Sequence, residues 1–277
     1  MKIKEIMTGD VVYAEVPGST AEALDLVIKK NLSGVPVVKR GTKELIGIVT
    51  RNDFSRRPEE TQLALLMTRD VVAVTPETDI KEAAKIFLEK GFRRLPVVKN
   101  SELLGIVTVS DIIWRAVSRV QTEEAIEKYT SENITAIWEG TPLKVAYELM
   151  RLSGARALPV LNSEGKLCGV VADTDLLKVA QVTESTLKSE MSPGSEGDRW
   201  SWDSKNVIYI TKKRLELPEM AVRDVMVRNV VTATKKTPVS ECAKKMAKMK
   251  VEQVPIIDAE GNMIGMIRDV DLLKAIG

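Results

Sequence analysis

Residues 94–111 read RLPVVKNSELLGIVTVSD, and the pattern of this stretch occurs four times along the 277-residue chain. An apolar run that contains Pro96 is followed by a second apolar run that contains Gly105, and then by Asp111. The prolines of the four copies are Pro36, Pro96, Pro159 and Pro255. The aspartates follow them by 17, 15, 16 and 16 residues and are Asp53, Asp111, Asp175 and Asp271. A pattern that keeps its phase four times indicates an internal structural repeat of about 50 residues.

The residues before each proline extend the repeat towards its amino end. A methionine stands 29 residues before three of the prolines, as Met7, Met67 and Met226, and Thr130 takes that place in the third copy. After Met67, residues 71–74 (VVAV) are a short β-branched run that predicts a strand. A helix is predicted next, capped by Thr78 or Asp79, because apolar residues then recur at helical spacing. These residues are Ile80, Ala83, Ala84, Phe87 and Leu88.

The proline run and the glycine run are joined by turn-forming residues such as 162–165 (NSEG), so together they predict a β-hairpin. Proline favours a sheet edge or the beginning of a strand, because it has no N–H to donate. A second, short helix is predicted to begin at the aspartate, as at Asp271. Each copy is thus predicted to form strand, helix, strand, strand and helix.

This repeat resembles the CBS (cystathionine-β-synthase) domain, and the resemblance covers nearly the whole chain. It implies an α/β (α+β) fold of four β-α-β-β-α repeats, paired into two pseudo-twofold Bateman modules. The first module would span residues 1–120, with domains at about 3–58 and 63–120. The second would span 121–277, with domains at about 126–182 and 222–277 and an insert at about 183–221.

The insert has a character of its own. Residues 192–198 (SPGSEGD) predict a loop and residues 207–210 (VIYI) a strand, and Trp200 and Trp202 lie between them. Two interpretations stay open, a strand or hairpin that covers a sheet edge and a lid or partner-docking element.

The resemblance implies a ligand motif at the exit of the last strand, a Thr or Ser three residues before the aspartate. The first two copies carry it as Thr50 with Asp53 and Thr108 with Asp111. By resemblance, the aspartates would bind ribose hydroxyls and the threonines phosphate, beside a helix start whose free N–H groups favour anions. The adenine would lie against the first strand and the proline strand, at Val11, Val12, Val71, Val72, Pro36 and Pro96.

The third and fourth copies depart from the motif, with Ala172 and Arg268 at the threonine position. Arg268 would replace the missing donor or fill the pocket, and Asp175, Arg268 and Asp271 are the candidate ligand residues of these two copies. The alternative for all four aspartates is a helix cap, worth about 1 kcal/mol without any ligand. Asp173 and Asp269 stand two residues before Asp175 and Asp271, and each pair fits a cap and its neighbour better than a metal site.

Arginines beside the proline strand are candidates for an anion clamp, since a guanidinium matches phosphate oxygens. They are Arg93 and Arg94 in the second copy and Arg156 in the third. The alternatives for them are solvated positions or pairs with carboxylates.

Composition excludes several other functions. The chain has no histidine, which removes His metal ligands and the Ser-His-Asp arrangement, and we expect no metal site and no catalytic cofactor. Cys168 and Cys242 lie far apart and are expected to be small buried hydrophobes. A net charge of +2 disfavours nucleic-acid binding. With neither a signal peptide nor a long apolar run we expect a cytoplasmic protein without membrane contact, and the Lys, Glu and Arg content is typical of heat adaptation.

The resemblance therefore implies a non-catalytic regulatory sensor. It would bind AMP, ADP, ATP or a ligand similar to S-adenosylmethionine between paired domains and signal to an unidentified effector protein in trans. The alternative is a structural or protein-interaction scaffold with vestigial pockets. An enzyme is disfavoured because the chain has no Walker lysine loop, GxGxxG turn or nucleophile elbow. Whether the modules pair within one chain or in a homodimer stays open.

Overall fold

The computed structural model describes residues 1–30, 32–57, 59–190 and 207–276. The first repeat contains β1 (Ala14–Val16), α1 (Thr20–Lys29), β2 (Gly34–Lys39), β3 (Leu45–Thr50) and α2 (Arg51–Arg56). The second contains α3 (Leu63–Leu66), α4 (Ile80–Lys90), β4 (Arg94–Lys99), β5 (Glu102–Thr108) and α5 (Val109–Arg115). The third contains β6 (Ile137–Trp138), α6 (Leu143–Ser153), β7 (Ala157–Leu161), β8 (Leu167–Ala172) and α7 (Asp173–Val179). After the hairpin of β9 (Gln181–Glu190) and β10 (Val207–Glu216), the fourth contains α8 (Val239–Met249), β11 (Gln253–Ile257), β12 (Met263–Arg268) and α9 (Asp269–Leu272).

Short 3-10 helices complete the architecture, at Ile3–Glu5, Val117–Arg119, Ile126–Tyr129, Val222–Asp224 and Leu273–Ala275. The α/β fold class and the predicted hairpins are confirmed, since β2–β3, β4–β5, β7–β8 and β11–β12 pair antiparallel. The helix predicted from the apolar stripe is α4, where the Asp79 carboxylate accepts a hydrogen bond from the Lys81 N–H over 3.0 Å.

The first strand of the repeat is shorter than the sequence predicts. It pairs parallel to the proline strand as β1 and β6, but in the second and fourth repeats it shrinks to single bridges, Val74 with Val97 and Ala233 with Ile256. The prediction of a strand over residues 71–74 is therefore wrong except at Val74. In the first repeat the strand begins at Ala14, after Val11 and Val12.

The expectation that the proline lies at an edge or a strand start is confirmed for Pro96 and Pro255, since β4 and β11 belong to two-stranded sheets. It is wrong for Pro36, which is buried inside the middle strand of the sheet β1-β2-β3. Pairing with β1 starts only at Val37, opposite Ala14. The proline therefore precedes the first residue of β2 that pairs with β1, where a missing N–H costs no ladder bond with that strand.

The predicted strand at residues 207–210 is confirmed as the beginning of β10, which pairs antiparallel with β9. The predicted loop at residues 192–198, with Trp200 and Trp202, lies outside the described residues. None of the helices in the described part of the chain has the length and apolar character needed to cross a membrane.

The chain forms two compact units, Met1–Ile134 with Val231–Gly277, and Thr135–Val230. In the larger unit, α4 and α5 of the second repeat share one buried core with α8 and α9 of the fourth, and Phe87, Ile112 and Cys242 are completely buried there. A separate core fills the first repeat. The smaller unit has its own core around Leu143, Leu158 and Val171. The two-module division at residues 120 and 121 stays a prediction.

Candidate functional site

The corner between the last strand and the second helix has the same construction in all four repeats. The helix begins immediately after the strand, so the aspartate is its third residue. The prediction that this helix begins at the aspartate, as at Asp271, is therefore wrong by two residues. The carboxylate reaches back and accepts the N–H of the strand's last residue, over 2.7 Å for Asp53 and 2.9 Å for Asp111. An acidic side chain at this position satisfies a backbone donor that the helix leaves unpaired.

A second link ties each corner to the proline strand. The N–H of the first helical residue donates to the carbonyl of a residue at the entry of that strand, for example from Val109 to Arg93 over 3.1 Å. The equivalent bonds run from Arg51 to Ser33, from Asp173 to Arg156 and from Asp269 to Glu252. The backbone of every corner is thus held at both ends, and the four repeats differ in their side chains.

The first two repeats place the predicted threonine and aspartate in direct contact. The Thr50 hydroxyl donates to Asp53 Oδ2 over 2.7 Å, and the Thr108 hydroxyl donates to Asp111 Oδ2 over 2.6 Å. All four residues are half-buried, so the pairs face partly to solvent. A carboxylate and a hydroxyl side by side can accept from the hydroxyls of a sugar and donate to a phosphate oxygen.

The third repeat keeps the carboxylate but has Ala172 where the others have a donor. Asp175 accepts the Ala172 N–H over 3.0 Å and pairs with Lys178 over 2.8 Å. This corner therefore offers a carboxylate that already has a cationic neighbour and no hydroxyl beside it.

The fourth repeat fills its own corner. Arg268 donates from Nε to Asp271 Oδ2 over 2.8 Å and from Nη2 to Oδ1 over 3.0 Å, and Lys274 Nζ lies 3.3 Å from Oδ1. Asp271 is buried, with 3% of its surface exposed. Burial alone would raise the pKa of this carboxyl, but the hydrogen bonds and charge of Arg268 outweigh burial and hold the pKa below its usual value.

Arg93 has a carboxylate partner in another repeat, which is one of the alternatives to an anion clamp. Its guanidinium makes two hydrogen bonds to Asp269, over 3.1 and 2.7 Å, and lies 3.0 Å from Glu252. Asp269 is completely buried and also accepts the Ser110 hydroxyl over 3.1 Å. Burial raises the pKa of the Asp269 carboxyl, and Arg93 opposes that shift.

Sequence reasoning missed Asp269, because it interpreted the residue only as the neighbour of a capping aspartate. The partner of Asp269 lies 176 residues away, in the second repeat. No local sequence pattern predicts such a contact. The one available signal was an acidic residue without a basic partner nearby in the sequence, at the start of a predicted helix.

The other predicted arginines also have protein contacts. Arg94 donates to the Gly34 carbonyl over 2.9 Å and bonds the Ser33 hydroxyl, so it joins the proline strands of the first two repeats. Arg156 lies 4.0 Å from Asp173. A role in ligand binding for Arg93, Arg94 and Arg156 stays a prediction.

The predicted base-binding residues lie in the segments before the first helix and in the proline strands, and their role in binding a base stays a prediction. Val11, Val12, Val71 and Val72 are half-buried in extended segments, and Val12 and Val72 pack against the cores of their repeats. Pro36 and Pro96 are buried in the proline strands, opposite Ile48 and Ile106. In the described part of the chain, no group of three or more His, Cys, Asp or Glu side chains is arranged to hold a metal ion.

A family model described as the CBS domain matches the chain at residues 3–60, 63–117, 126–181 and 222–277. These segments cover most of the sequence and coincide with the four structural repeats. The chain therefore belongs to the CBS-domain family.

Two solved structures resemble the chain over its full length. The crystal structure of an uncharacterized conserved protein from Pyrococcus horikoshii is 34% identical and covers 100% of both chains with a TM-score of 0.69. Protein MJ1225 of Methanocaldococcus jannaschii is 29% identical over 197 residues, which are 64% of this chain and 69% of that protein. Its crystal structure, proposed to be that of an archaeal homolog of g-AMPK, covers 100% of both chains at 21% identity and a TM-score of 0.73, which establishes the shared fold alone.

A more local match is the structure of CBSX2 in complex with AMP. It is 27% identical and covers 42% of this chain and 96% of that chain, with a TM-score of 0.38. A likeness of that extent carries no ligand over to this chain.

Proposed function

We propose that this protein is a non-catalytic regulatory sensor that binds adenine nucleotides or related adenosyl compounds at the corners of its first two repeats. The observation that carries the proposal is the contact between threonine and aspartate in both corners, Thr50 with Asp53 and Thr108 with Asp111. The ligand class comes from membership of the CBS-domain family together with this chemistry.

The corner chemistry suits a ribose that carries a phosphate. The carboxylates of Asp53 and Asp111 are the acceptors that the two hydroxyls of a ribose require, and the threonine hydroxyls are the donors that a phosphate oxygen requires. The threonine proton is used within the protein in the structure, since it points to Oδ2 of the aspartate. A hydroxyl rotates at little cost, so ligand binding exchanges that bond for one to phosphate.

Apolar residues on the segments next to the proline strand would bind the base. Val12 and Val72 lie in the extended segments before the first helix, and Pro36 and Pro96 lie on the neighbouring strand. Ligand pockets are typically lined by apolar side chains with a few polar groups that fix orientation. We assign adenine to these residues and the ribose phosphate to the corner.

Binding at these corners would act by population shift. Arg94 of the second repeat bonds the Gly34 carbonyl in the first, and the turn segments of the two hairpins exchange backbone bonds, from Leu45 to Ser101 over 2.9 Å and from Leu103 to Lys43 over 2.8 Å. A ligand that contacts two repeats favours the arrangement in which both contacts are made. An effector protein acting in trans would respond to that arrangement.

Thermal unfolding of ligand-free protein tests the proposal, with AMP, ADP, ATP, S-adenosylmethionine and NAD added separately. A ligand at 100 times its dissociation constant stabilises the native state by about 2.7 kcal/mol. We expect a selective shift with the adenosyl ligand that binds, and its loss in the Asp53→Asn, Asp111→Asn double variant. Asparagine keeps an oxygen that can cap the helix, so the variant should still fold.

Asp224→Asn is the matched control, because Asp224 accepts the Ala221 N–H over 2.9 Å in the same way and has no threonine beside it. It should leave the ligand shift unchanged. The absence of any shift with all five compounds would contradict the sensor and favour the scaffold, and the insert would then be the place to seek protein contacts.

A further inference from the structure

The fourth corner differs from the first two in what the aspartate contacts. In the second repeat, Oδ2 of Asp111 takes both bonds from Thr108, while Oδ1 lies 3.6 Å from Arg115 Nε, beyond hydrogen-bond distance. In the fourth repeat, both oxygens of Asp271 accept from the guanidinium of Arg268. Arg268 thus occupies both acceptors that a ribose would need.

Exposure shows from which side Arg268 approaches. The Asp271 side chain is 4% exposed whereas that of Arg268 is 55% exposed, so the arginine covers the carboxylate from the solvent. The equivalent Asp111 side chain is 13% exposed. The Arg268 side chain therefore stands where a ligand would approach the fourth corner.

The contact between Arg268 and Asp271 is also stronger than the contact that a ribose would make with the same carboxylate. A guanidinium that makes two hydrogen bonds to one carboxylate provides charge-assisted bonds in a fixed geometry, and these exceed the bonds that neutral sugar hydroxyls donate. Lys274 adds a second cation at Oδ1. A ribose would have to displace a charged donor with neutral ones, at an acceptor that is already satisfied.

We propose that Arg268 is a built-in occupant that closes the fourth corner, so that this repeat takes no adenosyl ligand. The inference rests on the proposed function of the first two corners, since it concerns the same type of site. It makes Arg268 the residue that excludes ligand from the fourth corner. Replacing Arg268 by threonine restores the pairing of threonine and aspartate and opens the fourth corner.

Isothermal titration calorimetry with AMP and with S-adenosylmethionine tests this inference. The parent is the Asp53→Asn, Asp111→Asn variant, in which the first two corners are disabled. We expect no binding to this parent and the gain of one site per chain when Arg268→Thr is added. Asp271→Asn, added to that triple variant, should remove the new site. Lys274→Gln in the parent is the matched control, because it removes the weaker partner of Asp271 and keeps Arg268 in place; it should gain no site.

Wild-type protein and the single variant Arg268→Thr separate this inference from the proposed function. If wild-type protein binds ligand and Arg268→Thr adds no site, the closed corner is refuted and the sensor stands. If only the Arg268→Thr proteins bind, the closed corner stands and the assignment of the first two corners fails. If no protein binds, both are refuted. Arg268→Ser is the second variant should threonine prevent folding, because serine also supplies a hydroxyl beside Asp271, and it should gain the same site.

Discussion

The sulfur of Met67 lies against Gly47 so closely that a Cβ on this glycine would stand 2.6 Å from it. Met67 belongs to the second repeat and Gly47 to the first, and the exchange is reciprocal because Met7 of the first repeat lies on Gly105 of the second, at 2.8 Å. Met226 covers Gly169, and Thr130 takes the place of methionine over Gly265. The segment that opens each repeat therefore packs on the last strand of another repeat.

The Met67–Gly47 contact should show strong coupling in a double-mutant cycle. Gly47→Ala forces a methyl into the sulfur and into the Thr68 carbonyl, 3.0 Å away, and should lower the free energy of unfolding by about 1–3 kcal/mol. Met67→Ala should cost about 2–5 kcal/mol, because Met67 is buried. In the Met67→Ala background, Gly47→Ala should cost clearly less, as urea denaturation would reveal.

Gly9→Ala is the control for this cycle. The nearest atom to a Cβ there is the Leu104 carbonyl oxygen at 4.0 Å, which is ordinary contact. If Gly47→Ala lowered the free energy of unfolding equally with and without Met67, the packing of Met67 of the second repeat on Gly47 of the first would be contradicted.

The ion pair of Arg93 and Asp269 should be sensitive to loss of one partner. Arg93→Met leaves a completely buried carboxylate without its guanidinium, and we expect the free energy of unfolding to fall by about 3–5 kcal/mol. Adding Asp269→Asn should recover part of the loss, because a neutral amide replaces the unpaired charge. Chemical denaturation of both variants measures the effect.

Lys85→Met tests the method with an exposed pair. Lys85 lies 3.7 Å from Glu89 on the surface of α4, and its loss should change the free energy of unfolding by less than about 0.5 kcal/mol. An Arg93→Met variant as stable as Lys85→Met would contradict the conclusion that the folded protein depends on the Arg93–Asp269 pair.

The Arg268–Asp271 pair predicts a pH dependence of stability. Because the pKa of Asp271 is lower in the folded protein than its ordinary 3.8, its contribution is present above that pH and is lost as pH falls through the folded-state pKa. Arg268→Gln should therefore destabilise the protein by about 1 kcal/mol at neutral pH, a value reduced by the exposure of the guanidinium, and by less near pH 3. Denaturation curves of both proteins between pH 3 and pH 7 check this; a difference that grows on acidification would refute it.

The two cysteines should differ in reactivity. Cys242 is completely buried in the core shared by the second and fourth repeats, and burial raises the pKa of its thiol to about 12. Cys168 is only partly buried, which departs from the sequence prediction, although burial raises its pKa too. Since the thiolate is the reactive form, iodoacetamide at pH 8 should modify Cys168 slowly and Cys242 only after unfolding. Peptide mass spectrometry measures the order of modification, and modification of Cys242 before Cys168 in the folded protein would contradict this prediction.

The sequence was sufficient to predict the repeats, the hairpins and the corners with Thr50, Asp53, Thr108 and Asp111, because each rests on local periodicity or spacing. It showed the regular distance from Met67 to Pro96, but not that Met67 would pack on the first repeat. A period locates similar segments along the chain and contains no information on which repeat a segment packs against.

The sequence left the contacts of the arginines open between alternatives for a related reason. Arg93 and Arg268 both stand next to candidate corners, and their sequence neighbourhoods do not distinguish a ligand from a carboxylate partner. In the structure Arg93 pairs with Asp269 of the fourth repeat, and Arg268, which takes the position of threonine, pairs with Asp271 three residues away. Pairing of charges depends on the folded arrangement and is therefore visible only in the structure.

A crystal structure of the protein, grown with the adenosyl compound selected by thermal unfolding, would show whether that compound binds at the threonine–aspartate corners. We expect ribose hydroxyls on the carboxylates of Asp53 or Asp111, phosphate or its equivalent beside Thr50 or Thr108, and the Arg268–Asp271 contact unchanged. A ligand bound elsewhere, with both threonine–aspartate pairs intact, would contradict this expectation.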